Sequence, residues 1–294
     1  MNKEIIHDRE MNIQRCYSAE YQGMKVKYID HMGNDLSVIR AATASFAKDP
    51  VEWDEQKHPR LINYLARGMT QDELNELIKG LEHIPNHING WVARKKFIAD
   101  SLDQYRHTGS HWSPFAHTAI TLRLKAPIAT HAQMMKHTVG FAHNTVIRRY
   151  VSDTPEVFTP VFREAPKGNI KQGSGDNITA VVLKDSGGGL HTMSGIKLQE
   201  GYKAMVDVCI GFYEAVIEGG VAPEQARFIL PQGVMTEWVS TGSLYAWARF
   251  YNLRTDPHAQ KEIQDLAKMV GEIIEPLYPV SWQALTRHSE NNNG

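Results

Sequence analysis

One stretch of nineteen residues, numbers 133–151, concentrates the side chains that could do chemistry. It reads QMMKHTVGFAHNTVIRRYV, with a lysine, two histidines, an asparagine and an Arg-Arg-Tyr among apolar residues. Buried charge is costly unless it is paired or binds an anion, so cations embedded in an apolar frame indicate a ligand site. The residues alone are equally consistent with a core helix and turn whose basic side chains reach the surface.

Arginines outside this stretch add to the pattern. Arg227 lies in QARFILP, Arg254 lies in NLRTDPHAQ, and Arg149 precedes Tyr150, each beside apolar residues. A guanidinium donates two parallel hydrogen bonds in one plane, which suits a phosphate group. Three such arginines could converge on one phosphomonoester. For any single arginine, a surface position or a carboxylate partner is the simpler interpretation.

Other catalytic chemistries find little support. His131, His137 and His143 recur every six residues, and six residues turn a helix by about 600°, so their rings do not share a helix face. No HExxH or His-Cys metal motif, no GxSxG elbow and no glycine-rich phosphate loop is present. Cys209 falls on the apolar face of a predicted helix, which is typical of a buried structural thiol. We expect neither a metal site nor a cysteine nucleophile.

Composition bounds the class of protein. The 294 residues carry a net charge of −1 without a long basic run, which argues against a broad nucleic-acid or membrane surface. Two cysteines cannot build a disulfide framework. The first residues lack the apolar core of a signal peptide, and no apolar run is long enough to span a bilayer. These features predict a soluble, cytoplasmic protein.

Periodicity and capping residues predict an α+β chain. We expect strands at 24–33, from 117 and at 157–162, and helices at 35–47, 58–68, 198–220, 223–231, 241–254 and 257–279. Asn34 or Asp35 is available to cap the first helix. Pro127 should open a further helix that carries Gln133, Lys136 and His137.

No linker or internal repeat divides the sequence. Residues 1–23 are polar and predict a short N-terminal extension or an extra helix. Residues 24–288 are expected to form a single domain, with a helical insertion at about 69–107. The last residues, 289–294, are predicted to be a disordered tail.

From Met24 to about Leu285 the chain resembles the flavin-dependent thymidylate synthases, the ThyX family. QMMKHTVGFAHNTVIRRYV resembles the family's signature Q-x-x-RHR-x-x-S-x-NE-x-S-x-RY, and HWSPFAH resembles its H-[ET]-[ST]-PFEH segment. Further similar blocks occur in the family's order, namely MGNDLSVIRAATASF, FTPVFREAPKGNIKQGSG, ARFILP, TGSLYAWARF and NLRTDPHAQKEIQ. The resemblance implies the ThyX-like α+β fold, an antiparallel sheet packed with helices.

The resemblance also implies an activity and an assembly. In the family, FAD takes a hydride from NADPH, and methylenetetrahydrofolate supplies one carbon to C5 of deoxyuridylate, giving thymidylate. No enzyme cysteine attacks the pyrimidine, in agreement with the absence of a candidate nucleophile here. The family implies a homotetramer with sites at subunit interfaces.

Site residues follow by position in the matching blocks. By this resemblance, the deoxyuridylate site would be lined by Gln133, Lys136, Arg149, Arg227 and Arg254. The flavin would be approached by Ser37, His111, Ser113, His137 and His258. Catalytic positions would be those of Arg254, Lys136 and His137.

The signature also departs from the family's pattern. RHR has become Lys136-His137-Thr138, the glutamate of NE is Thr145, the serine before RY is Ile147, and the arginine expected in TGNLRAW is Tyr245. Each lost arginine removes a charge-assisted hydrogen bond of roughly 1.5–3 kcal/mol. By the resemblance, the lost contacts belong more to the flavin site than to the site of the nucleotide phosphate.

Two alternatives to thymidylate synthesis remain open from the sequence. Water instead of hydride could trap the methylene carbon, which would make the protein a deoxyuridylate or deoxycytidylate hydroxymethylase, a phage-type pyrimidine modification. The changed signature is also compatible with a catalytically silent nucleotide-binding homologue. Flavin content and the mass of the product distinguish these three hypotheses.

Overall fold

The computed structural model describes residues 1–8, 13–50, 52–67, 79, 90, 93–94, 96, 111–146, 153–166, 174–182 and 194–286. Arg148 and Arg149, most of the predicted insertion at 69–107 and the predicted tail at 289–294 lie outside these residues. What the sequence predicts for these residues stays a prediction.

A six-stranded sheet has the order β1-β2-β3-β4-β8-β5. Its strands are β1 (Asn2–Asp8), β2 (Ile13–Tyr21), β3 (Met24–Met32), β4 (Ala119–Pro127), β5 (Phe141–Thr145) and β8 (Met235–Gly242). A small hairpin pairs β6 (Ala180–Val182) with β7 (Ser194–Lys197). The alternation predicted in β4 is confirmed, because Ile120, Leu122 and Leu124 are fully buried.

The prediction of an extra helix within residues 1–23 is wrong, because this segment forms two strands of the sheet. β2 pairs antiparallel with β3, and Ala19 lies opposite Val26 with both side chains buried. A two-residue turn at Gln22 and Gly23 joins the strands with φ angles of 52° and 78°. Positive φ at both central residues is the geometry that matches the twist of a tight hairpin.

The helices follow the predicted order with shifted ends. They are α1 (Asp35–Thr43), α2 (Lys57–Arg67), α3 (Ser113–Ala116), α4 (Ile128–Met134), α5 (Leu198–Glu218), α6 (Pro223–Ala226), α7 (Leu244–Arg254), α8 (Lys261–Ile274) and α9 (Pro279–Thr286). Short 3-10 turns cover Ala44–Phe46, Arg227–Ile229 and Glu275–Leu277. Among the described residues, no helix is long and apolar enough to cross a membrane.

Three local predictions are corrected. α4 ends at Met134, so Lys136 and His137 lie in the turn that follows, where their backbone N–H groups bond three residues back rather than four. The predicted strand at 157–162 is reduced to a single bridge between Val157 and Val234. α8 begins at Lys261 rather than at Pro257.

The chain divides into two compact units, each assembled from three stretches. The first comprises Met1–Ile29, Thr121–Thr241 and Phe250–Ile273, and the second comprises Asp30–Ile120, Gly242–Arg249 and Ile274–Gly294. Neither unit is a continuous stretch of sequence. The single domain expected over 24–288 stays a prediction.

In the second unit, one turn caps two helices. Asn34 caps α1 through a capping box, in which its side chain accepts from the N–H of Ser37 and the Ser37 hydroxyl accepts from the N–H of Asn34. The next residue, Asp35, is buried and accepts from the N–H groups of Val280 and Ser281 at the start of α9, both at 2.9 Å. This carboxylate therefore satisfies two N–H groups that the helix cannot satisfy internally.

Replacing Asp35 by alanine is expected to lower the free energy of unfolding by about 2–4 kcal/mol, because two backbone N–H groups lose their acceptor. Urea denaturation followed by circular dichroism measures the effect. Asp35→Asn, which keeps one acceptor oxygen, should cost less. A free energy unchanged in the alanine variant would contradict the capping role.

The pH dependence of stability gives a second signature of Asp35. Burial raises the pKa of this carboxyl, while hydrogen bonds from Ser281 and Val280 partly lower it. A raised pKa means that the folded state binds the proton more tightly than the unfolded state. The proton-linked part of the contribution of Asp35 to stability is therefore present below the unfolded pKa and is lost as pH rises through the folded pKa, while its carboxylate still accepts the two capping hydrogen bonds. Asp35→Asn should remove this part of the slope.

Candidate active site

A cleft of about 1030 Å³ opens in the first unit. Gln133 on α4, Arg254 at the end of α7 and His258 in the loop before α8 all line it. Gln133 is distant in sequence from Arg254 and His258, so the fold brings these predicted site residues to one cavity. Further polar residues share the wall, among them Arg163, Tyr202, Gln260 and Glu262.

Arg254 is anchored on one side. Its Nε–H donates to Nε2 of His137 at 2.9 Å, and its Nη2 donates to the backbone carbonyl of Gln133 at 3.1 Å. Burial lowers the pKa of Arg254, although a guanidinium remains charged at neutral pH. Two of its five N–H groups are used in this way, so three remain to bind an anion or a carbonyl oxygen.

His137 holds that arginine in place. Because its Nε2 accepts a hydrogen bond, the ring carries its proton on Nδ1 while the contact lasts. The edge of the ring packs against Phe250, with centroids 5.1 Å apart. Nε2 of His143 contacts the carbonyl of His137 at 2.9 Å, and Nδ1 of His143 contacts the hydroxyl of Ser240 at 2.7 Å. The turn after α4 is thus fixed through both its side chain and its backbone.

A chain of hydrogen bonds follows the cleft wall. Nε2 of Gln133 donates to Oε1 of Gln260 at 2.6 Å, and Nε2 of Gln260 donates to Oε2 of Glu262 at 2.8 Å. Nη2 of Arg163 donates to Oε1 of Glu262 at 2.6 Å, and its Nε donates to the hydroxyl of Ser174 at 2.7 Å. The Arg163 and Glu262 side chains are 16% and 7% exposed, so their charges meet largely out of water.

Sequence reasoning missed Arg163, Gln260 and Glu262. Arg163 and Glu262 stand 99 residues apart, and no spacing rule connects positions at that separation. The signal available was their presence in FTPVFREAPKGN and NLRTDPHAQKEIQ, two stretches that resemble family blocks.

Arg227 lies in the wall of a different cavity. This second cavity, of about 580 Å³, also has His131 and Thr145 in its wall. The Nε–H of Arg227 donates to the carbonyl of Glu224 at 3.2 Å. Within one chain, Arg227 and Arg254 therefore do not line the same cavity.

Burial lowers the pKa of His131, and the nearby His143 adds to this effect.

Residues 27–280 match the model of the thymidylate synthase complementing protein family, Thy1. The chain belongs to this family. The match confirms the resemblance to ThyX and includes residues of both compact units.

Relatives with the name flavin-dependent thymidylate synthase match nearly the whole chain. The protein of Thermotoga neapolitana is 26% identical over 264 residues, which cover 90% of this chain and 91% of the relative. One from Thermus thermophilus is 27% identical over 264 residues, covering 90% of this chain and 76% of the relative. That of Treponema denticola is 28% identical over 268 residues, covering 90% and 80%.

The fold is shared with a solved structure, the UMP/dUMP methylase PolB from Streptomyces cacaoi bound with 5-Br dUMP. The TM-score is 0.58 at 22% identity, over 89% of this chain and 93% of that chain. The predicted α+β ThyX-like fold, an antiparallel sheet packed with helices, is confirmed.

The remaining predicted residues of this Thy1 family member occupy varied surroundings. Lys136 is exposed in the turn after α4, and His258 is exposed beside Asp256, with Nδ1 3.0 Å from the carboxylate. In the second unit, His111 is exposed with its ring stacked on Tyr64 at 5.7 Å, and Ser113 begins α3. Their assignment to the site stays a prediction.

A metal centre receives no support from the described part of the chain, which holds no cluster of three or more His, Cys, Asp or Glu side chains suited to an ion. Cys209 was expected to be a buried thiol, but it is only half-buried on α5.

Proposed function

We propose that this protein transfers one carbon from methylenetetrahydrofolate to C5 of deoxyuridylate and gives thymidylate with flavin-mediated hydride transfer. The observation that carries the proposal is Arg254, held by His137 and the Gln133 carbonyl so that the rest of its guanidinium serves the cleft. The names of the matching relatives and of PolB support the same chemistry.

Arg254 would bind and stabilise negative charge. Its remaining N–H groups suit a phosphate oxygen or a pyrimidine carbonyl oxygen, and a charge-assisted hydrogen bond in a half-buried cleft is stronger than one in water. During transfer to C5, negative charge develops on the pyrimidine carbonyls, so a pre-oriented cation lowers the barrier. Lys136 would add a positive charge from the adjoining turn. Arg227, which lines a different cavity of its own chain, would reach the nucleotide from a neighbouring copy of the protein, and Arg149 would complete the site.

A flavin fits the chemistry of the proposed donor set, which consists of hydroxyl and imidazole groups able to bond ring nitrogens and phosphate oxygens. When bound, FAD would supply the hydride, with NADPH as its source. By the resemblance to the family, the residues that would hold it are Ser37, His111, Ser113, His137 and His258. The Ser37 hydroxyl also serves the capping box of α1.

A product assay tests the proposed function. The purified protein is incubated with deoxyuridylate and methylenetetrahydrofolate, with and without FAD and NADPH, and the mass of the product is measured by mass spectrometry. We expect thymidylate only when both redox cofactors are present. A hydroxymethyl product formed without them would establish the hydroxymethylase instead, and nucleotide binding without any product would establish the silent homologue.

We propose that the protein assembles as a homotetramer. The apolar stripe predicted along α5 exists, but Met205, Val208 and Phe212 are 64%, 67% and 58% exposed in the single chain. The buried side chains of α5, Val206 and Tyr213, face elsewhere. A contiguous apolar stripe on a helix is typical of an association surface, and further copies of this chain would cover it.

Charge on this stripe should break the assembly. Phe212→Glu is expected to convert most of the tetramer into smaller species, because an unpaired carboxylate would be buried between subunits. Light scattering coupled to size exclusion measures the mass. Lys203→Glu is the matched control, since Lys203 lies about 160° around the helix from Met205. Equal masses for wild type and Phe212→Glu would exclude the stripe from the interface.

A further inference from the structure

The hydrogen-bond chain in the cleft has a direction. An ionised carboxylate can only accept hydrogen bonds. Glu262 accepts from Arg163 at Oε1 and from Gln260 at Oε2, so both of its oxygens are used. The amide nitrogen of Gln260 must therefore point toward Glu262, and its oxygen points toward Gln133.

That orientation passes to the next amide. Because Gln260 offers an oxygen, Gln133 must meet it with its Nε2, and the two atoms lie 2.6 Å apart. The shape of an amide does not distinguish its two ends, so the orientation is set by what lies at the end of the chain. Here the end is a carboxylate. Nε2 of Gln133 keeps its second N–H, and Oε1 is left for a ligand as an acceptor without a hydrogen-bond donor among the described residues.

Reversal of the chain would be costly. Turning the exposed Gln260 amide would place its oxygen against a carboxylate oxygen of Glu262, whose side chain is only 7% exposed. The carboxylate of Glu262 accepts from the guanidinium of Arg163, which also donates to the hydroxyl of Ser174. Two acceptor oxygens that face each other form no hydrogen bond, and the Glu262 oxygen has little solvent to replace it.

We infer that Glu262, acting through Gln260, makes Gln133 a hydrogen-bond acceptor that reads N3–H of a uracil base and disfavours cytosine. This inference rests on the proposed function, since it requires a pyrimidine nucleotide in this cleft. Uracil carries a hydrogen on N3, whereas cytosine has a lone pair there, so cytosine would set two acceptors against each other. Gln260 and Glu262 are positioning residues, and Gln133 touches the base.

Calorimetric dissociation constants of the wild-type protein test the inference without any substitution. Deoxyuridylate should bind at least about tenfold more tightly than deoxycytidylate, because an unpaired buried acceptor costs that much or more. N3-methyl-deoxyuridylate, which lacks the N3 hydrogen but keeps both carbonyls, should lose a similar factor. All three ligands carry the same phosphate, so the ratios of their dissociation constants report the recognition of the base alone.

Two substitutions are designed to reverse the orientation of the Gln133 amide. Gln260→Lys supplies only donors at this position, which draws Oε1 of Gln133 toward residue 260 and leaves Nε2 for the base. The preference should then move toward deoxycytidylate by tenfold or more relative to wild type. Glu262→Gln, which can both donate and accept, should bring the ratio toward one. Gln56→Lys, an exposed position on the second unit, is the matched control and should keep the wild-type ratio.

The outcomes are distinct. A wild-type protein that binds both nucleotides equally, or that tolerates N3-methylation, overturns the inference while the proposed function stands. If the ratio of the two dissociation constants is unchanged in Gln260→Lys or Glu262→Gln, the role of the hydrogen-bond chain is overturned. Failure of wild-type protein to bind either nucleotide overturns the proposed function, and this inference with it.

Discussion

Arg254→Ala is expected to weaken the binding of deoxyuridylate by well over tenfold and to abolish most activity. The guanidinium would contribute several charge-assisted hydrogen bonds, each of roughly 1.5–3 kcal/mol, and about 1.4 kcal/mol corresponds to a factor of ten. The substitution also removes the donor that Arg254 supplies to Nε2 of His137 and to the carbonyl of Gln133, which weakens the orientation of both neighbours. Titration calorimetry measures the dissociation constant.

Two further variants sharpen this experiment. Arg254→Lys keeps the charge but replaces a planar fork by a point donor, so its dissociation constant should lie between those of wild type and alanine variant. Arg60→Ala removes an exposed arginine of α2 and should leave binding unchanged. A dissociation constant that stays at the wild-type value in Arg254→Ala would remove this residue from the nucleotide site.

Arg163→Met is expected to lower the free energy of unfolding by about 3–5 kcal/mol, because it leaves the carboxylate of Glu262 buried without its cation. Urea denaturation provides the measurement. The double variant Arg163→Met/Glu262→Leu should recover much of the loss, since it removes the uncompensated charge as well as the pair. A double variant as unstable as the single one would contradict this account.

An exposed ion pair is the control for this effect. Lys197 and Glu200 lie 3.2 Å apart with both side chains largely exposed to solvent, at 73% and 69%. Surface pairs contribute about 0–1 kcal/mol, because water screens their attraction. Lys197→Met should therefore change the free energy of unfolding by less than about 1 kcal/mol. The contrast between the two sites isolates burial as the cause.

Some elements follow from local sequence alone. The alternation in β4 places its apolar side chains on the buried face, and Asn34 caps α1 as its side-chain type predicts. The double glycine at Gly219 and Gly220 ends α5, where Gly220 adopts a φ of 88° that other residues rarely reach. These features depend on backbone preferences of a few neighbouring residues, and the sequence contains that information directly.

Other elements required the folded chain. The polar N-terminal residues carry no strong local signal, and they become strands because β3 offers a paired edge. α4 stops at Met134 although the helical pattern continues, since His137 is drawn to Arg254 and its carbonyl to His143. In both cases tertiary contacts outweigh local propensity.

The sequence by itself determined the family, the α+β class and three residues of the cleft, Gln133, Arg254 and His258, because matching blocks keep their order along the chain. Only the tertiary structure decided what those residues touch. The contacts of Gln133 with Gln260 and of Arg254 with His137 span 127 and 117 residues. Helix and strand periodicity relates only residues that are close in sequence, so it cannot predict these contacts. The direction of the hydrogen-bond chain depends on the buried carboxylate of Glu262, which only folding brings to the end of the chain.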